Sequence, residues 1–461
     1  MTVATYDNYD GLGPRPPMMR LAAGRGGLRL PAGWPIFVLF YGYPLWWALG
    51  LQAFIWPIMA VPMLVSLFMR RSIKAPRGFG IWLMFLAWML ISATQLTGGS
   101  RLLSYGYRAA FYISAGVIFL YAYNEIQRGA VRPRQFIFAI VAMWWAAVIG
   151  GYLGLIKPNF QFTSPTAMVL PHSITHNQLI QTLVYPGFGD KKTLLGYASP
   201  RPKAPFNYTN EWGSNLAILT VVAMYATTLM RRRFWRNVTY AGLALSIVPI
   251  VISINRGLWL SLGVGIVYVA ARLAGRGRAK FFFGVVLAIA VTLAVIIFTP
   301  LGHIVTDRFH HANTQGRSYL YGQATDSVLK SPIVGYGAPL PSQDLGLSAD
   351  ASVGTHGQMW TLLVSQGIPG AVLFVAFWAA MFIATWRVRT PALWLNAAIL
   401  IFLVQLPYYN VLPVQMQTLA VVIVCAKTQV LPRRSRMRPV KPVSPFLAKS
   451  PPGVPELAGQ R

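Results

Sequence analysis

Acid is what this chain of 461 residues has least of: 10 Asp and Glu stand against 40 Lys and Arg, a formal net charge of +30. Charged residues make up only 11% of the whole, hydrophobic residues 55%, and the mean hydropathy is +0.50. So little charge excludes a water-soluble multidomain protein and fits a polytopic membrane protein. Cysteine is nearly absent too. The single Cys425, inside an apolar run, excludes an intrachain disulfide and a cysteine-based metal site. The first thirty residues carry Arg15, Arg20, Arg25 and Arg29 but no apolar core, so no cleavable signal peptide is read there. The first hydrophobic run reads as an uncleaved signal anchor. No internal repeat is evident, which counts against an inverted-repeat transporter.

What the chain does have is apolar runs long enough for a bilayer, which needs about 20 residues per helix. Twelve are read: 33–49, 51–69, 79–96, 109–123, 136–156, 211–230, 238–254, 258–271, 281–298, 359–386, 392–406 and 411–426. The 15 Trp and 21 Tyr suit the two membrane interfaces. Alternate connections and the two ends hold 29 of the 40 Lys and Arg, which by the positive-inside rule makes them cytoplasmic, with both termini inside. Topology accounts for most of the basic excess, so nucleic acid is not a predicted partner. The expected fold is all-α, with a cytoplasmic N-terminal tail over 1–32, a transmembrane domain over 33–426 and a basic, Pro-rich, disordered tail over 427–461. That tail would contact anionic lipid headgroups. Two long external segments, 157–210 and 300–358, complete the domain.

The second of these is the polar anomaly of the sequence. The stretch 300–359 holds four of the six histidines and four of the ten acids, Asp307, Asp326, Asp344 and Asp350. Within it Leu320, Ala324 and Val328 recur every four residues, predicting a short amphipathic helix on the membrane surface that ends at Pro332 and the following glycines. Arg317 opens that helix, where a cation opposes the macrodipole; it reads either as a ligand contact, which that placement favours over helix stability, or as a solvated surface arginine. Arg256, in SINRGLWL, reads either as an arginine snorkelling to the interface or as a clamp on a diphosphate, whose oxygens a guanidinium fork matches. His356, between two glycines in GTHGQMW, has the proton affinity to accept from a sugar hydroxyl, or is a structural loop histidine. His172 and His176 share a helix face by their spacing, but a metal would need a third ligand. His310 and His311 are as readily loop surface. The first external connection has no Asp or Glu with which to hold a metal or activate an acceptor.

Four segments in order carry a resemblance to a known family: PFNYTNEWGSNL, SINRGLWL, GRSYLYGQATDSVLKSPIVGYG and THGQMWTLLVSQGIPG. Together they resemble the O-antigen ligase and polysaccharide polymerase family of bacterial envelope glycosyltransferases, over roughly residues 79–426. The resemblance implies metal-independent, inverting transfer of a glycan from a polyprenyl diphosphate to a sugar hydroxyl of a glycan or glycolipid acceptor, without a cofactor. It places the protein in the bacterial cytoplasmic membrane with its site on the external face. It implies that Arg256 and Arg317 bind the diphosphate, that His356 is the base and that Asn210 supports the site. The sequence departs from the family in having Gly357 after His356, where Asn is usual, and in its long first external segment. The competing reading from another class is a lipid-linked oligosaccharide flippase or transporter without chemistry.

Overall fold

A computed structural model describes residues 30–171, 178–194, 197–287, 315–340 and 357–432. The elements up to Val430 form one body, and residues from Leu431 onward make a separate unit. In chain order the helices are α1 (Trp34–Tyr41), α2 (Tyr43–Ala48), α3 (Ile55–Phe68), α4 (Phe79–Ser92), α5 (Gly99–Gln127), α6 (Pro133–Ile156), α7 (Pro165–Val169) and α8 (Gln178–Val184). The hairpin β1 (Gly189–Leu194) and β2 (Tyr197–Pro202) follows, then α9 (Thr209–Thr227), α10 (Arg233–Ile252) and α11 (Arg256–Ala274). After these come α12 (Gln315–Lys330), α13 (Gln358–Ala384), α14 (Leu393–Gln405) and α15 (Gln415–Lys427).

Five of these, α5, α6, α10, α11 and α13, are long and apolar enough to cross a membrane by length and composition. Their packing has the polarity of a membrane protein. On α10 the buried residues are Thr239, Gly242, Ser246 and Pro249, while Leu245, Ile247, Val248 and Val251 are exposed. Small residues inside and aliphatic residues outside are what lipid, not water, favours, because close backbone approach drives helix association there. An aromatic cluster locks α4, α5 and α13 together: Trp82 and Phe377 have centroids 5.0 Å apart, and Phe85 and Tyr112 5.1 Å apart.

The expected helix over 33–49 is broken at Gly42 into α1 and α2, with Pro44 in the first turn of the second. The helix expected over 109–123 begins ten residues earlier, at Gly99. Its polar start does not raise local hydropathy, and it is tied down by Arg101, which donates to the carbonyls of Tyr336 and Ala338. The apolar stripe on α12 does not face only lipid. Ala324 is buried and packs with Val328, Tyr336, Val364 and Trp360, so Ala324 and Val328 of the stripe lie against α13.

Basic segments gather at one end of the bundle. Arg70 and Arg128 both pair with the fully buried Glu125. The guanidinium of Arg272 sits 3.9 Å over the Trp386 ring, and Arg276 donates to the Val388 carbonyl at 2.9 Å. Val388 pairs with Val430 across an antiparallel bridge, and the Cys425 thiol reaches the Pro133 carbonyl at 3.6 Å, joining the groups.

Candidate active site

At the other end, the starts of three helices meet the connection between α14 and α15. The Tyr409 hydroxyl donates to Asn255 Oδ1, and the Tyr409 carbonyl accepts from the Gln358 amide at 2.8 Å. The Leu406 carbonyl accepts from the Met359 amide at 2.9 Å. Asn255 caps α11 by accepting from the Leu258 amide at 3.3 Å, and its Nδ2 donates to the Thr209 carbonyl at 3.3 Å. Burial pushes the Tyr409 hydroxyl above the ordinary tyrosine range, so it stays a donor at neutral pH.

This arrangement positions two sequence-predicted residues directly. Arg256 is the first residue of α11 and exposed, immediately after the cap. The turn that delivers it is strained: Ile254 has φ +47°, a left-handed conformation that a β-branched side chain rarely adopts. Gly257, next in chain, permits the close approach of Tyr409, since a Cβ there would lie 2.5 Å from the tyrosine hydroxyl. Asn210 is half-buried in the first turn of α9, one residue after the Thr209 carbonyl that Asn255 holds. Arg256 and Asn210 are thus drawn to one corner.

The other two predictions are placed less directly. Arg317 lies in the first turn of α12; one turn on, Tyr321 stacks on Trp360 of α13 with centroids 5.0 Å apart. His356 lies outside the described residues, and α13 starts two residues later at Gln358, seated on Tyr409. His172, His176, His310 and His311 also lie outside them. Among the described residues no three His, Cys, Asp or Glu side chains cluster to hold a metal.

The two glycine-bearing segments of the resemblance pack on each other. The amides of Tyr336 and Gly337 donate to the carbonyls of Val364 and Ser365 at 2.9 and 2.7 Å, and the Ile368 amide donates to Pro332 O at 2.8 Å. This ladder uses the carbonyls freed where α13 breaks at Gly367, whose φ of +68° only glycine adopts easily. A Cβ at Gly367 would also run into the Ile333 carbonyl.

Several residues near the corner escaped the sequence reading. Arg201, on β2 opposite Asp190 of β1, donates to Asn210 Oδ1 at 3.2 Å. The long segment 157–210 thereby reaches the corner with a cation. Glu211 is buried beside Asn210; its Oε1 accepts from Gln52 Nε2 at 3.0 Å and its Oε2 from the Asn207 amide at 3.2 Å. A lone acid in an apolar run was the available signal for Glu211. No comparable signal marks Arg201 or Tyr409, which are an arginine in a turn-rich segment and one aromatic among many.

No curated protein matches the chain. A family model does, and its match takes in SINRGLWL, the α12 segment with its glycine turn and the start of α13, while PFNYTNEWGSNL precedes it. Residues 241–375 match the O-antigen ligase family, in agreement with the resemblance carried by these motifs.

Proposed function

We propose that the protein is a membrane glycosyltransferase that moves a glycan from a polyprenyl diphosphate to a sugar hydroxyl on the external face of the bacterial cytoplasmic membrane. In this reading the chain crosses the bilayer twelve times with both termini cytoplasmic. The observation that carries it is the corner at Tyr409, where α9, α11 and α13, each starting in a family-like segment, begin together.

The chemistry follows from charge. The acceptor oxygen attacks the anomeric carbon from the face opposite the diphosphate, which inverts that centre. His356 takes the hydroxyl proton. As the bond from the anomeric carbon to the diphosphate oxygen breaks, its electron pair stays on the diphosphate, and Arg256 and Arg317 stabilise the charge that builds there. Asn210, held by Arg201, supports the site. No metal or cofactor enters these steps.

The test is turnover by purified protein supplied with lipid-linked glycan and an acceptor glycan. Free polyprenyl diphosphate and a lengthened or ligated glycan are the expected products, and His356→Ala abolishes both. Movement of the lipid-linked glycan across a vesicle with no new glycosidic bond would replace this reading with that of a flippase. Loss of turnover in a chelator would show that a metal takes part.

A further inference from the structure

About two turns beyond the Arg101 anchor, on α5, Arg108 carries a guanidinium for which the described residues supply no carboxylate. The ion pairs among them are Arg70 and Arg128 with Glu125, and Lys203 with Asp190. Arg108 Nη1 donates to the Ser104 carbonyl at 3.0 Å and to Ser104 Oγ at 2.5 Å, both on its own helix, and the side chain is half-buried. A guanidinium withdrawn from water on a membrane-length helix is costly unless an anion meets it.

The surroundings of Arg108 lead to the candidate site in two directions. Tyr107 and Tyr112 both lie within electrostatic range of it. The Tyr112 hydroxyl accepts from Gln358 Nε2 at 2.7 Å, two residues after His356. Tyr107 in turn is within electrostatic range of Glu211 and Tyr208 at the start of α9. Glu211 does not neutralise Arg108: its two oxygens are engaged by Gln52 and the Asn207 amide, and it forms no ion pair among the described residues. Arg108 therefore lies one turn before Tyr112, which holds the start of α13, with a charge that no carboxylate among the described residues answers.

We infer that Arg108 binds a phosphate of the lipid-linked donor, as a third guanidinium in addition to those of Arg256 and Arg317; this rests on the function proposed above. A fork of N–H donors from α5 matches phosphate oxygens, and the diphosphate supplies the missing anion. The same phosphate chemistry is offered by a membrane phospholipid headgroup, so the experiment must separate the two.

Full-length protein in nanodiscs is titrated with polyprenyl diphosphate and with the uncharged polyprenol of equal chain length, for wild type, Arg108→Gln and Arg108→Met. Wild type binds the diphosphate more tightly than the polyprenol. Each variant binds diphosphate about tenfold or more weakly, the worth of a charged hydrogen bond, with polyprenol affinity unchanged and, for Arg108→Met, a Tm no lower than wild type. Two substitutions are used because Arg108→Gln buries a new polar group, whereas Arg108→Met fills the same volume without charge. Wild-type diphosphate affinity in a folded variant overturns the inference alone. If wild type does not distinguish diphosphate from polyprenol, the donor assignment falls and the inference with it. If native mass spectrometry shows phosphatidylglycerol lost from the variants while diphosphate affinity holds, the partner is a headgroup and the inference is overturned.

Discussion

Tyr409 holds Asn255 through its hydroxyl and Gln358 through its carbonyl, so one residue of the connection between α14 and α15 fixes the starts of α11 and α13. The hydroxyl bond is the one that substitution can remove cleanly. Tyr409→Phe is expected to cost about 1 kcal/mol of stability, the net worth of a buried hydrogen bond. Turnover should fall further than that, because Arg256 follows Asn255 directly. A loss of kcat/KM no larger than the change in Tm implies would show that the bond is structural only.

Gly257 and Gly263 lie on the same helix and make a controlled pair. A Cβ at Gly257 meets the Tyr409 hydroxyl at 2.5 Å, whereas one at Gly263 meets nothing within 4 Å. Gly263→Ala should therefore raise stability by roughly 0.5–1 kcal/mol, the usual gain of Ala over Gly inside a helix, with turnover unchanged. Gly257→Ala should displace Tyr409 and reduce turnover. Thermal melts and product formation, measured on both variants, check the contrast.

Arg201 reaches Asn210 from the hairpin, so Arg201→Gln should lower turnover while leaving the fold intact. The hairpin retains its backbone register and the ion pair of Lys203 with Asp190 at 3.1 Å. Full turnover in Arg201→Gln would remove the hairpin from the working site.

At the opposite end, Glu125 answers two cations of unequal burial: the Arg70 side chain is 8% exposed and that of Arg128 44%. Glu125→Gln leaves Arg70 buried without a counter-charge and should destabilise by about 3–5 kcal/mol. Arg128→Gln should cost less than about 1 kcal/mol, as for an exposed pair. Tm values in detergent for the two variants give the comparison directly.

Gly367→Ala forces a left-handed conformation on alanine and drives a Cβ into the Ile333 carbonyl. The strained conformation alone costs about 1–3 kcal/mol. Because the Ile368 amide bonds Pro332 here, the turn after α12 should loosen with it. Accelerated proteolysis between α12 and α13 would report that loosening, and an unchanged digest would count against the ladder.

Hydropathy made most helices legible, since apolar runs such as 136–156 and 392–406 coincide closely with α6 and α14. It missed the polar first turns of α5, because a hydropathy window registers hydrocarbon-soluble residues and not a helix that continues beyond them. It also missed the hairpin, whose register depends on pairing between strands and on packing against α6. Of the candidate site, Arg256 and Asn210 were legible from their segments, while Arg201 and Tyr409 were not. Their importance arises from neighbours distant in sequence.

The sequence by itself determined a membrane protein depleted in acid, its principal apolar helices and the order of its family-like segments, because these follow from residue type and local spacing. Only the tertiary structure decided that α9, α11 and α13 begin around Tyr409, and that Ala324 and Val328 of α12 lie on α13. The physical reason is that both depend on contacts between residues far apart in the chain: buried amides and carboxamides must find hydrogen-bond partners, and the glycines that allow close approach are recognisable as such only when the partner backbone is in view.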